Sequence, residues 1–177
     1  MSADSLPNLP SGMDVLLDAN IFVYHFSKKS RLNPACSNLL ERAERKEING
    51  ITSISVVHEV THRMMLIEAA AILPDVKIKG LVKYLKFHPD IVKKLVNHQC
   101  VPEKISTFNL EIISSDIKTV ERSQQMKRRY GFLSNDALIL QIMEDLKIYN
   151  LASNDSDFER VNFITLYKPF ISSELSE

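Results

Sequence analysis

Residues 13 to 18 read MDVLLD, a short apolar run with no polar alternation that closes on an acid. A strand reads this way when both of its faces are covered, as in the interior of a parallel sheet. Runs of the same kind recur downstream: ITSISVV (51–57), LEIISS (110–115), IYNLAS (148–153) and NFITLY (162–167). Helical patterns separate them. NPACSNLLERAERKEI (33–48) offers Asn33 as an N-cap and Pro34 at the first helical position. HEVTHRMMLIEAAAIL (58–73) is a strong helix former that stops at Pro74. Residues 77–99 read as two amphipathic helices broken near Pro89. SDIKTVERSQQMKRRYG (115–131) is a helix closed by Gly131, and SNDALILQIMEDLKI (134–148) another, with Ser134 or Asn135 placed to cap it. Strands that alternate with helices pair in parallel, because each parallel neighbour needs a crossover. The expected fold class is therefore α/β: a three-layer α/β/α arrangement around a central, mainly parallel sheet.

The 177 residues suit one domain, expected over 13–170. The Pro- and Ser-containing leader 1–12 is expected to be mobile, and 171–177 a short tail. No apolar run approaches the roughly 20 residues that span a bilayer, and the leader has neither a basic start nor an apolar stretch, which predicts a cytoplasmic protein with no membrane partner. Cys36 and Cys100 show no metal or redox spacing and read as free thiols. Lys and Arg number 22, equal to Asp and Glu, so any nucleic-acid partner must be held by local basic clusters.

The acids point to chemistry. In open parallel sheets the functional crevice lies outside the carboxyl ends of the strands. Asp18 ends the first strand, Glu59 falls in the first turn of the helix after the second, Asp136 begins a helix, and Asp155 and Asp157 follow IYNLAS. Carboxylates gathered at one edge raise one another's pKa unless a cation compensates them. Oxygen donors of this kind suit Mg²⁺ or Mn²⁺. Singly, each acid also has an ordinary use as a helix cap or Asx-turn residue.

VLLDANIFVY, SISVVHEVTHR, SNDALILQI and LASNDSDFERV, in that order, closely resemble the four acidic motifs of the PIN-domain ribonucleases, whose best-known members are toxins of the VapC type. The resemblance runs from Met13 to about Pro169, and its most specific part is LASNDSDFERV. It implies that Asp18, Glu59, Asp136 and Asp155 bind one or two metal ions that activate water for cleavage of an RNA phosphodiester, with Asp157 as a fifth ligand. Ser153 stands where the family often has Thr, and would hydrogen-bond a carboxylate or the attacking water. An antitoxin protein and a homodimer are further implications. The chain exceeds compact toxins of this type mainly in the Lys-rich stretch 74–102, a helical insertion that would serve as an arm on RNA, a cover over an antitoxin groove, or a solvated helical pair.

Three other readings compete. HEVTH (58–62) matches the zinc-protease pattern, yet the extended pattern would need Gly at Met65 and His at Glu68, leaving Glu68 as the one conceivable third ligand. A haloacid-dehalogenase-type phosphatase also begins with a strand-terminal Asp, but its second Asp is Asn20 here. A PIN module that binds RNA without cleaving it would keep the fold alone. Lys28, Lys29 and Arg31, or Lys127, Arg128 and Arg129, are candidates for phosphate contacts.

Overall fold

The computed structural model describes residues 3–171, so the tail from residue 172 onward lies outside the described residues. In chain order the elements are β1 (Asp4–Ser5), β2 (Asp14–Leu17), α1 (Ala19–Phe26), α2 (Asn33–Glu44), β3 (Asn49–Ser53), α3 (Ile54–Ile72), α4 (Ile78–Phe87), α5 (Pro89–Val92), α6 (Val101–Ser106), β4 (Glu111–Ile113), α7 (Ile117–Tyr130), α8 (Ser134–Leu146), β5 (Asn150–Ala152) and β6 (Thr165–Lys168). Short 3-10 helices cover Leu6–Asn8, Asn97–Cys100 and Ser156–Arg160.

All strand pairs are parallel, in the order β1-β6-β5-β2-β3-β4. The expected α/β class with a parallel central sheet is the one observed. β2 is the topological centre: Leu16 pairs with Ile51 of β3 on one side and Leu151 of β5 on the other. Val15, Leu16, Leu17, Leu151 and Ala152 are fully buried, which accounts for their lack of polar alternation. α1 packs on α2 and α3, and α7 packs on α8.

Several boundaries differ from expectation. The run ITSISVV is divided: the strand ends at Ser53, whose hydroxyl accepts from the Val56 N–H at 3.2 Å and starts α3 at Ile54. This side-chain cap outweighs the β propensity of Val56 and Val57, which are buried helix residues. Asn33, Ser134 and Asn135 are helical residues rather than caps, with Leu32 and Leu133 in the cap positions. The Asn33 amide instead donates to the carbonyls of Tyr24 and His25. α1 is a helix that the strand reading of MDVLLD left unassigned; ANIFVYHF is apolar nearly all round because five of its residues are buried.

Where it is described, the leader expected to be mobile is packed onto the domain. Asp4 and Ser5 pair with Tyr167 and Lys168 at the sheet edge, and Leu6 and Leu9 are buried in the core. The Arg42 guanidinium on α2 donates to the Leu9 carbonyl at 2.6 Å and reaches that of Leu6, fastening the leader to the domain.

α3 has 19 residues, about 28 Å of helix. Its first half packs Val56, Val57 and Val60 into the main core, and Ala69 in its second half joins Leu81, Leu85 and Leu95 in a separate small core. The stretch 74–102 thus stands on the far end of α3. Glu68 fastens it: its carboxylate accepts from the Val96, Asn97 and His98 N–H groups, from the Asn97 amide and from His98 Nδ1, at 2.9–3.1 Å. No helix among the described residues is long and apolar enough to cross a membrane.

Candidate active site

The parallel register sets the carboxyl ends of β2, β3 and β5 at one edge of the sheet. Asp18 follows β2 there, with its N–H donating to the Ala152 carbonyl at 3.0 Å. It is also the N-cap of α1: Oδ1 accepts from the Ala19 N–H at 2.6 Å. Oδ2 accepts from the Ser153 hydroxyl at 2.6 Å and from the Asn20 amide. The carboxyl is 7% exposed, and burial chiefly pushes it up to about 6. The Ser153 and Ala19 hydrogen bonds pull it back, and the negative fields of Glu59 and Asp136 raise it further.

Asp136 lies in the first turn of α8. Burial, followed by the charges of Asp155, Glu59 and Asp157, raises its carboxyl to about 6, with Arg160 pulling the other way. Glu59 sits in the second turn of α3, not the first, because the helix begins at Ile54. Its Oε2 accepts from the Asn135 amide at 3.0 Å, and its Oε1 lies 3.6 Å from Arg63. Asp155 caps the 3-10 helix that follows β5: its carboxylate accepts from the Asp157 N–H at 2.8 Å, and its own N–H donates to Ser153 Oγ. Asp157 is exposed and lies 3.4 Å from Arg160.

Glu59 and Asp136 thus act on Asp18, and Glu59, Asp155 and Asp157 act on Asp136, at a single sheet edge, although the five acids come from four segments of the chain. Among the described residues no three acidic, histidine or cysteine side chains converge closely enough to hold an ion as they stand. The donor set is oxygen throughout, and two of its carboxyls are raised well above their ordinary value, first by burial and then by neighbouring carboxylates. That chemistry fits a hard divalent cation.

Asn20 and Asn135 are the residues that reading for acids passed over. The Asn20 amide donates to both Asp18 and Ser153, at 2.9 Å for the latter, while its carbonyl accepts from the Asn154 N–H. No sequence signal marks it; its role shows only in the burial it shares with Asp18. Tyr24 also borders the site, its hydroxyl accepting from the Asn154 amide.

The zinc-protease pattern dissolves in the same geometry. His58 and His62 are exposed, and Glu68 is wholly engaged by residues 96–98. Cys36 is a buried core thiol pushed up to about 12 by burial.

An acid-bearing edge on this sheet order defines a class, and the chain is a member of it: it belongs to the PIN-domain family, whose pattern matches residues 15–164. It is 32% identical over 152 residues to ribonuclease VapC2 of Methanocaldococcus jannaschii, covering 86% of this chain and 91% of that one. Among solved structures it is similar to a toxin-antitoxin complex from Klebsiella pneumoniae, with a TM-score of 0.54 and 19% identity over 88% of this chain and 98% of that one. It is likewise similar to VapC20 of Mycobacterium tuberculosis, described as a sarcin-ricin loop cleaving toxin, with a TM-score of 0.54 and 13% identity over 85% and 97%. The two structures speak for the fold.

Proposed function

We propose that this chain is a metal-dependent endoribonuclease and the toxin of a toxin-antitoxin pair, acting in the cytoplasm. The observation that carries the reading is the gathering of Asp18, Glu59, Asp136, Asp155 and Asp157 at the carboxyl edge of the sheet, where burial and neighbouring acids raise Asp18 and Asp136 to about 6. The name of the Methanocaldococcus jannaschii relative supports RNA as the substrate, and the Klebsiella pneumoniae complex supports an antitoxin protein as partner. A homodimer is the assembly we expect.

Asp18, Glu59, Asp136 and Asp155, with Asp157 outermost, would hold Mg²⁺ or Mn²⁺, which lowers the pKa of a bound water and offsets charge building on the phosphate. The remaining work belongs to the chain's own groups. Ser153 and Asn20 fix the orientation of Asp18 Oδ2, and Ala19 fixes Oδ1, so this carboxylate presents a set direction without rotamer loss. Asn135 orients Glu59, which would serve as ligand or align the attacking water. Hydrolysis by an activated water does not use the 2′-hydroxyl, so the chemistry itself does not bar DNA.

The test is cleavage of a mixed single-stranded and structured RNA pool by wild type, Asp18→Ala and His62→Ala, with Mg²⁺, Mn²⁺, Zn²⁺ or EDTA. Cleavage with Mg²⁺ or Mn²⁺ that is lost in EDTA and in Asp18→Ala but survives His62→Ala is expected. Binding of RNA without cleavage by any form would make the chain a silent RNA-binding module. Turnover of small phosphate esters alone would make it a phosphatase.

A further inference from the structure

Arg160 ends the 3-10 helix that carries Asp157, and its guanidinium carbon lies over the Phe132 ring, 4.1 Å from the centroid. Phe132 in turn stacks on Phe158, with centroids 5.1 Å apart and planes 27° from parallel. Phe158 is fully buried in the main core, so the two rings form a column anchored in the interior and ending in a cation. The column stands between two acid-bearing segments: Phe132 comes four residues before Asp136, and Arg160 five after Asp155.

A cation beside five carboxylates would ordinarily be consumed by them. Here Asp157 is an ion-pair neighbour at 3.4 Å, and among the described residues no acceptor makes a hydrogen bond to the guanidinium. The side chain is 42% exposed. The contact with Phe132 holds the guanidinium in place while leaving donors beyond the one facing Asp157, and a planar fork held in place matches phosphate oxygens.

We propose that Arg160 is a substrate-binding residue: its guanidinium, held over Phe132, grips the non-bridging oxygens of the RNA backbone phosphate that lies against the acid edge. The inference rests on the ribonuclease reading and deepens it by assigning the group that balances substrate charge where the acids would repel it. It also gives the aromatic column a purpose beyond packing, since a guanidinium free to swing would be drawn onto the carboxylates.

The experiment compares wild type, Arg160→Gln, Arg160→Lys and, as a charge control at the opposite edge of the sheet, Lys46→Gln. Affinity for a labelled single-stranded RNA of mixed sequence is measured in EDTA across a salt series, and kinetics are then measured with Mn²⁺. Arg160→Gln should bind about tenfold more weakly, with the slope of log affinity against log salt reduced by about 0.7, the value for one single-strand phosphate contact. KM should rise with kcat little changed. Arg160→Lys should restore the slope but only part of the affinity, because an ammonium is a point charge without a fork. Lys46→Gln should match wild type. An unchanged slope in a folded Arg160→Gln, or a fall in kcat at constant KM, overturns the assignment and leaves Arg160 as a support for Asp157. If Arg160→Gln does not fold, an Arg160→Lys that binds as tightly as wild type overturns it equally. A wild type that neither binds nor cleaves RNA overturns the ribonuclease reading together with it.

Discussion

The Ser153 hydroxyl donates to Asp18 Oδ2 at 2.6 Å across a sequence separation of 135 residues. This bond ties the ends of β2 and β5 and lowers the carboxyl that burial raises. Ser153→Ala should remove it while leaving the fold intact, because Ser153 is small and its neighbour strand is held by the backbone ladder. The expected result is a loss of about tenfold or more in kcat, with the acid limb of the pH–rate profile moved to higher pH. An unchanged profile would show that Asp18 does not depend on this hydroxyl.

Burial sets a pH dependence that Asp18→Asn isolates. The ordinary value of 3.8 becomes about 6 in the fold. The folded state then holds the proton more tightly than the unfolded one, so metal-free stability is greatest below pH 3.8 as far as this group is concerned and declines as pH rises to about 6. The span corresponds to about 3 kcal/mol. Asp18→Asn escapes it, so in EDTA the variant should be more stable than wild type at pH 8 and should lose that advantage near pH 4. Added Mn²⁺ should raise the Tm of wild type at pH 8, where the carboxylates are ionised, and much less at pH 5. Thermal melts of the two proteins at three pH values would decide it.

Glu68 predicts an effect on architecture without an effect on chemistry. Burial alone would raise its carboxyl, but the hydrogen bonds from Asn97, His98 and Val96 hold it below the ordinary range. Its contribution is therefore present above about pH 4.5 and fades as pH falls. Glu68→Ala should cost about 2–3 kcal/mol, roughly 5–10 °C in Tm, and expose residues 88–100 to proteolysis. Specific activity of the folded fraction toward RNA should persist. Limited proteolysis followed by mass spectrometry locates the cleavage sites.

Asn135→Ala should act the other way. Its amide bridges α8 to Glu59 at 3.0 Å and is exposed, so stability should hold within about 0.5 kcal/mol while kcat falls by about tenfold. A fall in Tm equal to that of Glu68→Ala would make Asn135 a structural residue instead.

The fold was legible wherever burial is two-sided. MDVLLD announces β2 because its last four residues, Val15 to Asp18, are buried, and Gly131 announces the end of α7 because φ there is 70°. What escaped was decided by single side chains. Ser53 converts a β-branched run into a helix with one hydrogen bond, and α1 hides because a helix buried all round has no polar face to reveal its period. The acids were visible at strand ends and helix starts, since those are the positions a parallel sheet turns toward its crevice. Asn20 and Asn135 were not, because an amide that orients a carboxylate carries no pattern in one dimension.

The pairing of Asp4 and Ser5 with β6 bears on any attempt to shorten this protein. Met13 looks like a natural starting point, just before the first interior strand. A chain begun there would leave β6 as a bare strand edge, with the sites of Leu6 and Leu9 emptied beneath it. Such a fragment should be a template for self-association, so loss of solubility on trimming would reflect a missing hem on the sheet and not damage to the acids.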